Sequence, residues 1–195
     1  MNVFHGRNRA VAVVIASIPE RFNMLLRAME SVRTQTLGPV ETRIVIGMPR
    51  LKAYKAACEV DAEFVTWLDD DDYMLPDHLE TLVRGQRATG ADMVYTRSVQ
   101  RTSEGQERII GEEFGYDKLW GWDFIGNAFM YRTSLVREMG GFPSARKSPW
   151  GAIHFETARL GAKFHFVDHE PTVVVNVHDG NLTNKVKLNE DNPNE

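Results

Sequence analysis

The sequence predicts an α/β domain with a mostly parallel central sheet flanked by helices, and three observations carry that prediction. The run Ala10 to Ala16 (AVAVVIA) is continuously apolar and rich in β-branched residues, as in a strand buried on both faces of a sheet. Further apolar runs alternate with stretches of helical periodicity, an order that right-handed crossovers convert into parallel strands. The third of these runs, Phe64 to Leu68, ends abruptly in Asp69-Asp70-Asp71-Asp72, at the sheet edge where open α/β folds bind their ligands.

Each element follows from local signals. Pro19 ends the first strand, so Ser17 to Arg21 reads as a strand-to-helix loop. Met24, Leu25, Ala28, Met29 and Val32 recur at helical spacing over Phe22 to Thr34, and Gly38-Pro39 closes that unit. Arg43 to Gly47 is a second strand and Leu51 to Val60 a second helix. After the aspartates, Pro76 suits the first turn of a helix carrying Leu79, Leu82 and Val83 and ending near Gly90. Asp92 to Thr96 is a strand, and Ser98 to Arg101 with Glu107 to Ile110 form a hairpin about Ser103-Glu104-Gly105. Gly126 to Tyr131 returns to strand character, and Thr133 caps a helix that stops at Gly140-Gly141. Pro143 to Trp150 reads as a loop, Ala152 to Leu160 as a helix, and Lys163 to Val167 and Thr172 to Val177 as strands. Residues 1–184 are expected to form one domain, and 185–195 a polar, poorly ordered tail.

Composition narrows the class. With 195 residues, 43% hydrophobic and 26% charged, the chain buries a core without staples. A net charge of -4 gives no overall basic field, which argues against avid non-specific nucleic-acid binding. The single cysteine, Cys58, permits no intrachain disulfide and suits a reducing compartment. The apolar run Ala10 to Ile18 is too short to span a membrane, and no signal-peptide pattern precedes it. The expectation is a soluble, cytoplasmic protein.

Four adjacent anions repel one another, and a cation among them relieves the repulsion. Hard oxygen donors on a short loop suit Mg²⁺ or Mn²⁺, which commonly share coordination with substrate phosphates. The structural alternative is a solvated acidic turn in which Asp72 or Asp77 caps the next helix. Position favours the metal site, because a surface turn directly after a buried strand gains nothing from four like charges.

The ordered set Ile18-Pro19-x-Arg21, Ser31-Val32-Arg33-Thr34-Gln35-Thr36, Trp67-Leu68-Asp69-Asp70-Asp71-Asp72, Met139-Gly140-Gly141-Phe142 and His178-x-x-Asn181-x-Thr183 resembles the family-2 glycosyltransferases. That resemblance covers Ala10 to Thr183 and implies a single GT-A-like (Rossmann-like) domain transferring a sugar from a nucleotide-sugar, a UDP-sugar foremost. It implies that Asp69 and Asp71 are the D-x-D pair, with the metal (Mn²⁺ or Mg²⁺) held by Asp71 and His178. Asp70 and Asp72 would line the donor, Asp72 facing its sugar. Ser17, Pro19 and Arg21 would form the front edge of the nucleotide site, with Arg21 read equally as a helix-terminus side chain.

Two departures from the family pattern matter. The Asp-rich turn expected after the second strand is replaced by Gly47-Met48-Pro49-Arg50-Leu51-Lys52, whose basic residues either touch donor phosphates or are simply solvated. The acidic pair that supplies the catalytic base falls near Pro149-Trp150, which cannot serve. Glu156, whose alternative is an ordinary helix-surface role, and Asp123 in the Trp120-Gly121-Trp122-Asp123 loop are the remaining candidates for the base. Trp120 and Trp122 either stack on a sugar or nucleobase or close the core. Acceptor classes open to such an enzyme are a glycan, a protein, a lipid-linked sugar or a modified nucleobase. The competing functions are a catalytically inactive GT-A-like binding module and a nucleotidyltransferase; the latter wants a Gly-rich loop after the first strand, and Ser17 to Arg21 has no glycine.

Overall fold

The structure, a computed structural model, describes residues 10–47, 49–120, 124–140 and 149–178. The central sheet has six strands in the order β2-β1-β3-β8-β5-β9: β1 (Val11–Ser17), β2 (Glu41–Ile46), β3 (Phe64–Asp69), β5 (Met93–Tyr95), β8 (Phe129–Arg132) and β9 (Phe164–Phe166). The pairs β1 with β2, β1 with β3, and β5 with β9 are parallel, while β8 lies antiparallel between β3 and β5. Mostly parallel was therefore the right expectation, with β8 as the reversed strand.

Alternation along β1 explains why the strand is apolar throughout. Val11, Val13 and Ile15 pack with Leu25, Ala28 and Val32 of α1 (Phe22–Arg33) and Leu79, Leu82 and Val83 of α3 (His78–Thr89). Ala12, Val14 and Ala16 face the other way, toward Ala53, Tyr54 and Ala57 of α2 (Pro49–Cys58), Leu135 and Val136 of α4 (Thr133–Glu138), and Ile153 of α5 (Pro149–Arg159). Each face of the sheet thus buries one layer of helices, and a strand buried twice has no polar side.

A second sheet was not foreseen. It has four strands in the order β4-β10-β6-β7, comprising β4 (Tyr73–Met74), β6 (Ser98–Thr102), β7 (Glu107–Ile110) and β10 (Val173–Val177). The hairpin of β6 and β7 stands where the sequence puts it; β4, only two residues long, carries no periodicity from which to read it.

Several boundaries differ for local reasons. Residues Pro19–Arg21 form a 3-10 turn rather than an open loop, with Pro19 at its start. Pro76 precedes its helix by two residues, because its carbonyl accepts from Thr36 N at 2.8 Å and the Gln35 side chain takes over the capping of α3, accepting from Leu79 N at 3.0 Å. Thr133 does not cap α4: its hydroxyl is buried and finds no hydrogen-bond partner among the described residues. Met24 and Met29 lie on the exposed side of α1, outside the Leu25, Ala28, Val32 stripe. Pro149 and Trp150 open α5 instead of ending a loop. Gly141, Phe142, Asn181, Thr183 and the tail 185–195 lie outside the described residues, and no helix among the described ones is long and apolar enough to cross a membrane.

Candidate active site

The site is built at the C-terminal edge of the sheet, where β1 and β3 end side by side with Ala16 opposite Asp69. A tight turn follows, closed by Asp72 N donating to Asp69 O at 3.1 Å. It throws alternate aspartates in different directions.

Asp70 points back under the first loop. Its carboxylate accepts from Ser17 Oγ at 2.8 Å, Ile18 N at 3.3 Å and Arg21 Nη1 at 3.1 Å, and it is buried. Ser17, only 1% exposed, commits its hydroxyl to that carboxylate, so its part in the site is to hold Asp70. Pro19 is exposed at the head of the 3-10 turn, on the front of the site. Arg21 is no helix-terminus ornament: one Nη1 bridges Asp70 at 3.1 Å and Asp71 at 2.7 Å, with side-chain exposures of 11%, 4% and 7% for the three.

Asp71 is held from both sides of the turn. Besides Arg21, its carboxylate lies 3.3 Å from Nε2 of His178, and its carbonyl accepts from the Asn176 side chain. Asp72 is buried, accepting from Asn127 Nδ2 at 3.1 Å and Asn176 N at 2.9 Å. Burial, then the charges of Asp69 and Asp71, push its carboxyl well above the ordinary range, only partly opposed by those N–H donors. Ligand oxygens of Asp69, Asp71 and Asp72 all fall within 4.8 Å of one another. A carboxyl driven toward its neutral form by two carboxylate neighbours is what a divalent cation would reverse, and three carboxylate oxygens beside an imidazole are a fitting donor set for Mn²⁺ or Mg²⁺.

Sequence reading brought Ser17, Arg21, Asp69, Asp70, Asp71, Asp72 and His178 to one place, and the structure assembles all of them. It missed the supporting amides. Asn176 joins the turn to β10, and the signal for it is the one polar residue in Val173-Val174-Val175-Asn176-Val177. Ser31 and Gln35, which enter the sequence reading only as part of the resemblance, hold the turn from beneath, Ser31 Oγ accepting from Met74 N at 3.1 Å and Gln35 Nε2 donating to Leu75 O at 2.7 Å.

The base candidates fare differently. Asp123 and Trp122 lie outside the described residues, as do the side chains of Trp120 and Arg50. Glu156 is placed away from the aspartates, because α5 runs down the sheet: Trp150 near its start packs on Trp67, ring centroids 5.6 Å apart, while His154 Nδ1 reaches Tyr131 Oη at 2.7 Å, and Tyr131 pairs with Val65 at the opposite end of β3. Beyond His154, Glu156 accepts from Arg159 Nε at 2.8 Å on the outer surface.

Comparison with known proteins now adds to this geometry. Residues 53–149 match the family model described as Glycosyl transferase family 2, a span that includes the aspartate turn. No curated protein sequence matches the chain. Among solved structures, S. aureus TarS 1-349 in complex with UDP-GlcNAc superimposes with a TM-score of 0.70 at 14% identity, covering 89% of this chain and 60% of that one. A longer TarS chain gives 0.65 at 15% identity over 86% of this chain and 37% of that one, and TarS 1-349 with UDP gives 0.62 at 15% identity. The chain thus spans 60% or less of the length of the TarS structures it matches. Identities this low show the fold alone. The chain is a single-domain GT-A-type α/β protein that resembles the family-2 glycosyltransferases through the very segment that holds its acidic turn.

Proposed function

We propose that the chain is a metal-dependent glycosyltransferase that moves a sugar from a nucleotide-sugar, a UDP-sugar first among them, to an acceptor hydroxyl with inversion. One observation carries the reading: the convergence of Asp69, Asp71 and Asp72 within 4.8 Å at the end of β3, with His178 against Asp71. The TarS complexes, which hold UDP-GlcNAc and UDP on the same fold, support the choice of donor.

In this reading Asp71 and His178 hold the divalent cation, Mn²⁺ or Mg²⁺, and Asp69 completes the D-x-D pair. Bound there, such an ion supplies Lewis-acid stabilisation of the charge that builds on the departing diphosphate. The protein's own groups do the rest. Asp70, fixed by Ser17 and Arg21, sets the height of the loop that ends in Pro19, where the nucleotide rests. Arg21 keeps two carboxylates from repelling the donor's phosphates, and Asp72 orients the sugar through its anchored carboxyl. The acceptor oxygen bonds to the anomeric carbon as the bond to the diphosphate oxygen breaks, and the hydroxyl proton passes to a carboxylate base. With Glu156 turned away, Asp123 is the base of choice from the sequence.

The test is a thermal-shift series with UDP, GDP, dTDP and CDP, each with and without Mn²⁺. A ligand at a hundredfold excess over its Kd stabilises by about 2.7 kcal/mol. UDP should raise the melting temperature only with metal, and Asp71→Ala should abolish the shift while leaving the apo protein folded. A shift that persists in Asp71→Ala would sink the assignment.

A specific observation favours a second reading, a module that binds nucleotide-sugar without transferring it. Trp150, where the acidic pair would stand, packs against Trp67 and Phe129 with centroids 5.6 and 5.5 Å apart, so that position belongs to the core. Donor turnover separates the two, since a binder that shows the metal-dependent UDP shift hydrolyses no UDP-sugar at any metal concentration.

A further inference from the structure

Beside the aspartate turn, the small sheet presents a face of which the donor site uses only the end at Asn176 and His178. Tyr73 pairs with Val174, and Asn176 with Arg101, so Tyr73, Val174, Asn176, Val99 and Arg101 stand on one side of it. Asn176 and His178 touch Asp71 from that same side. Two residues along an extended chain cover about 7 Å, which puts Tyr73 one short step from Asp71.

Tyr73 is flanked by two guanidinium groups. Arg27 of α1 stacks over its ring, Cζ 4.0 Å from the centroid, and Arg101 Nη1 donates to its hydroxyl at 3.0 Å. Among the described residues Arg27 has no carboxylate partner. Arg101 pairs with Glu107, but at side-chain exposures of 42% and 51% that pair is weakly held and exchangeable. Arg27 is exposed, and among the described residues its guanidinium has no hydrogen-bond or ion-pair partner. Planar forks of this kind match phosphate oxygens two at a time. A neutral sugar would be met by amides and carboxylates over an aromatic ring; here the ring's flanks are cationic.

We propose that Arg27, Tyr73 and Arg101 form a phosphate-binding shelf that takes the acceptor, so that this protein glycosylates a hydroxyl lying a few bonds from a phosphate group. The inference rests on the donor site proposed above and extends away from it. The phosphate seats between the two guanidiniums, and the neighbouring hydroxyl reaches over Tyr73 toward Asp71 and the donor.

Calorimetric titration of the UDP- and Mg²⁺-loaded protein with glucose 6-phosphate, against glucose as the neutral control, tests this. Glucose 6-phosphate should bind at least about tenfold more tightly than glucose, and Arg27→Gln and Arg101→Gln should each weaken it by about tenfold while leaving UDP affinity unchanged. Tyr73→Phe, which removes only the hydroxyl that orients Arg101, should weaken it less. Equal affinity for glucose and glucose 6-phosphate, or binding that survives both arginine substitutions, would overturn the shelf. Failure of UDP to bind would count against the donor site instead, and the same titration without UDP still reads the shelf on its own.

Discussion

Asp72 shows how one residue can be costly to the fold and useful to the site. Its carboxyl, buried and faced by Asp69 and Asp71, is pushed above its unfolded value of about 3.9. A carboxyl raised in this way contributes stability that is full below the unfolded value and is lost as pH rises through the folded one. Every tenfold difference in proton affinity between the folded and unfolded chain corresponds to about 1.4 kcal/mol. Metal-free protein should therefore lose stability as pH climbs from about 4 toward neutrality, saturating Mg²⁺ should remove most of that loss, and Asp72→Asn should flatten the profile. Denaturant melts across that range with and without Mg²⁺ check this; parallel profiles for the two proteins would contradict it. At this scale the sequence was readable where chemistry is written in charge. Four aspartates after an apolar strand announced themselves, and Arg21 and His178 were found by the resemblance. Asn127 and Asn176 were not, because an amide that anchors a turn looks like any surface polar group until its partner, 55 or 105 residues away, is known.

Among the elements, α3 carries the clearest test of packing. Gly85 sits in its interior, where alanine ordinarily favours a helix by about 1 kcal/mol. A Cβ there would lie 2.6 Å from Val167 Cγ2 and 3.2 Å from Val94 Cγ1, so the glycine is what lets α3 lie close on β5 and the strand end at Val167. Gly85→Ala should destabilise by about 1–3 kcal/mol, the sign opposite to helix propensity, lowering the melting temperature by several degrees. An unchanged or higher melting temperature would show that the valines yield. The helices and the long strands were legible because their periodicity is strong: Leu25, Ala28 and Val32 mark α1, and the AVAVVIA run marks β1. Tyr73–Met74 was not, since two residues hold no period and the strand exists only because β10 arrives to pair with it. The same physics misled the sequence reading at Pro76, a good helix starter kept out of α3 by its bond to Thr36.

Across the whole molecule, the site joins parts of the chain that are far apart in sequence. Asn176 reaches Asp72 over 104 residues and Asp71 over 105, and those bonds couple the small sheet to the edge of the large one. Valine at 176 would continue the apolar run of β10 and keep the backbone N–H that Asp72 accepts. Asn176→Val should thus change stability by less than about 1 kcal/mol, while reducing the metal-dependent UDP shift because the Asp71 carbonyl loses its anchor. Loss of fold and shift together would mean that the amide is structural alone. The overall α/β class followed from element order, but the second sheet did not, because its pairings beyond the β6–β7 hairpin join strands that no local pattern links.

That coupling has a consequence for how the protein comes into being. A nascent chain that has emerged as far as α5 already contains the four aspartates, both guanidiniums of the shelf, and the layers of the large sheet except its last edge strand, β9. It lacks β10, so Asp72 has neither its backbone donor nor its burial, and Asp71 has no imidazole beside it. The turn then keeps the partners that the first loop gives it, Ser17 and Arg21 on Asp70 and Arg21 on Asp71, and lacks those that β10 brings. The arrangement around the aspartates is completed in one late step, when the last described strand pairs with β6 and brings Asn176 and His178 to a cluster synthesised a hundred residues earlier.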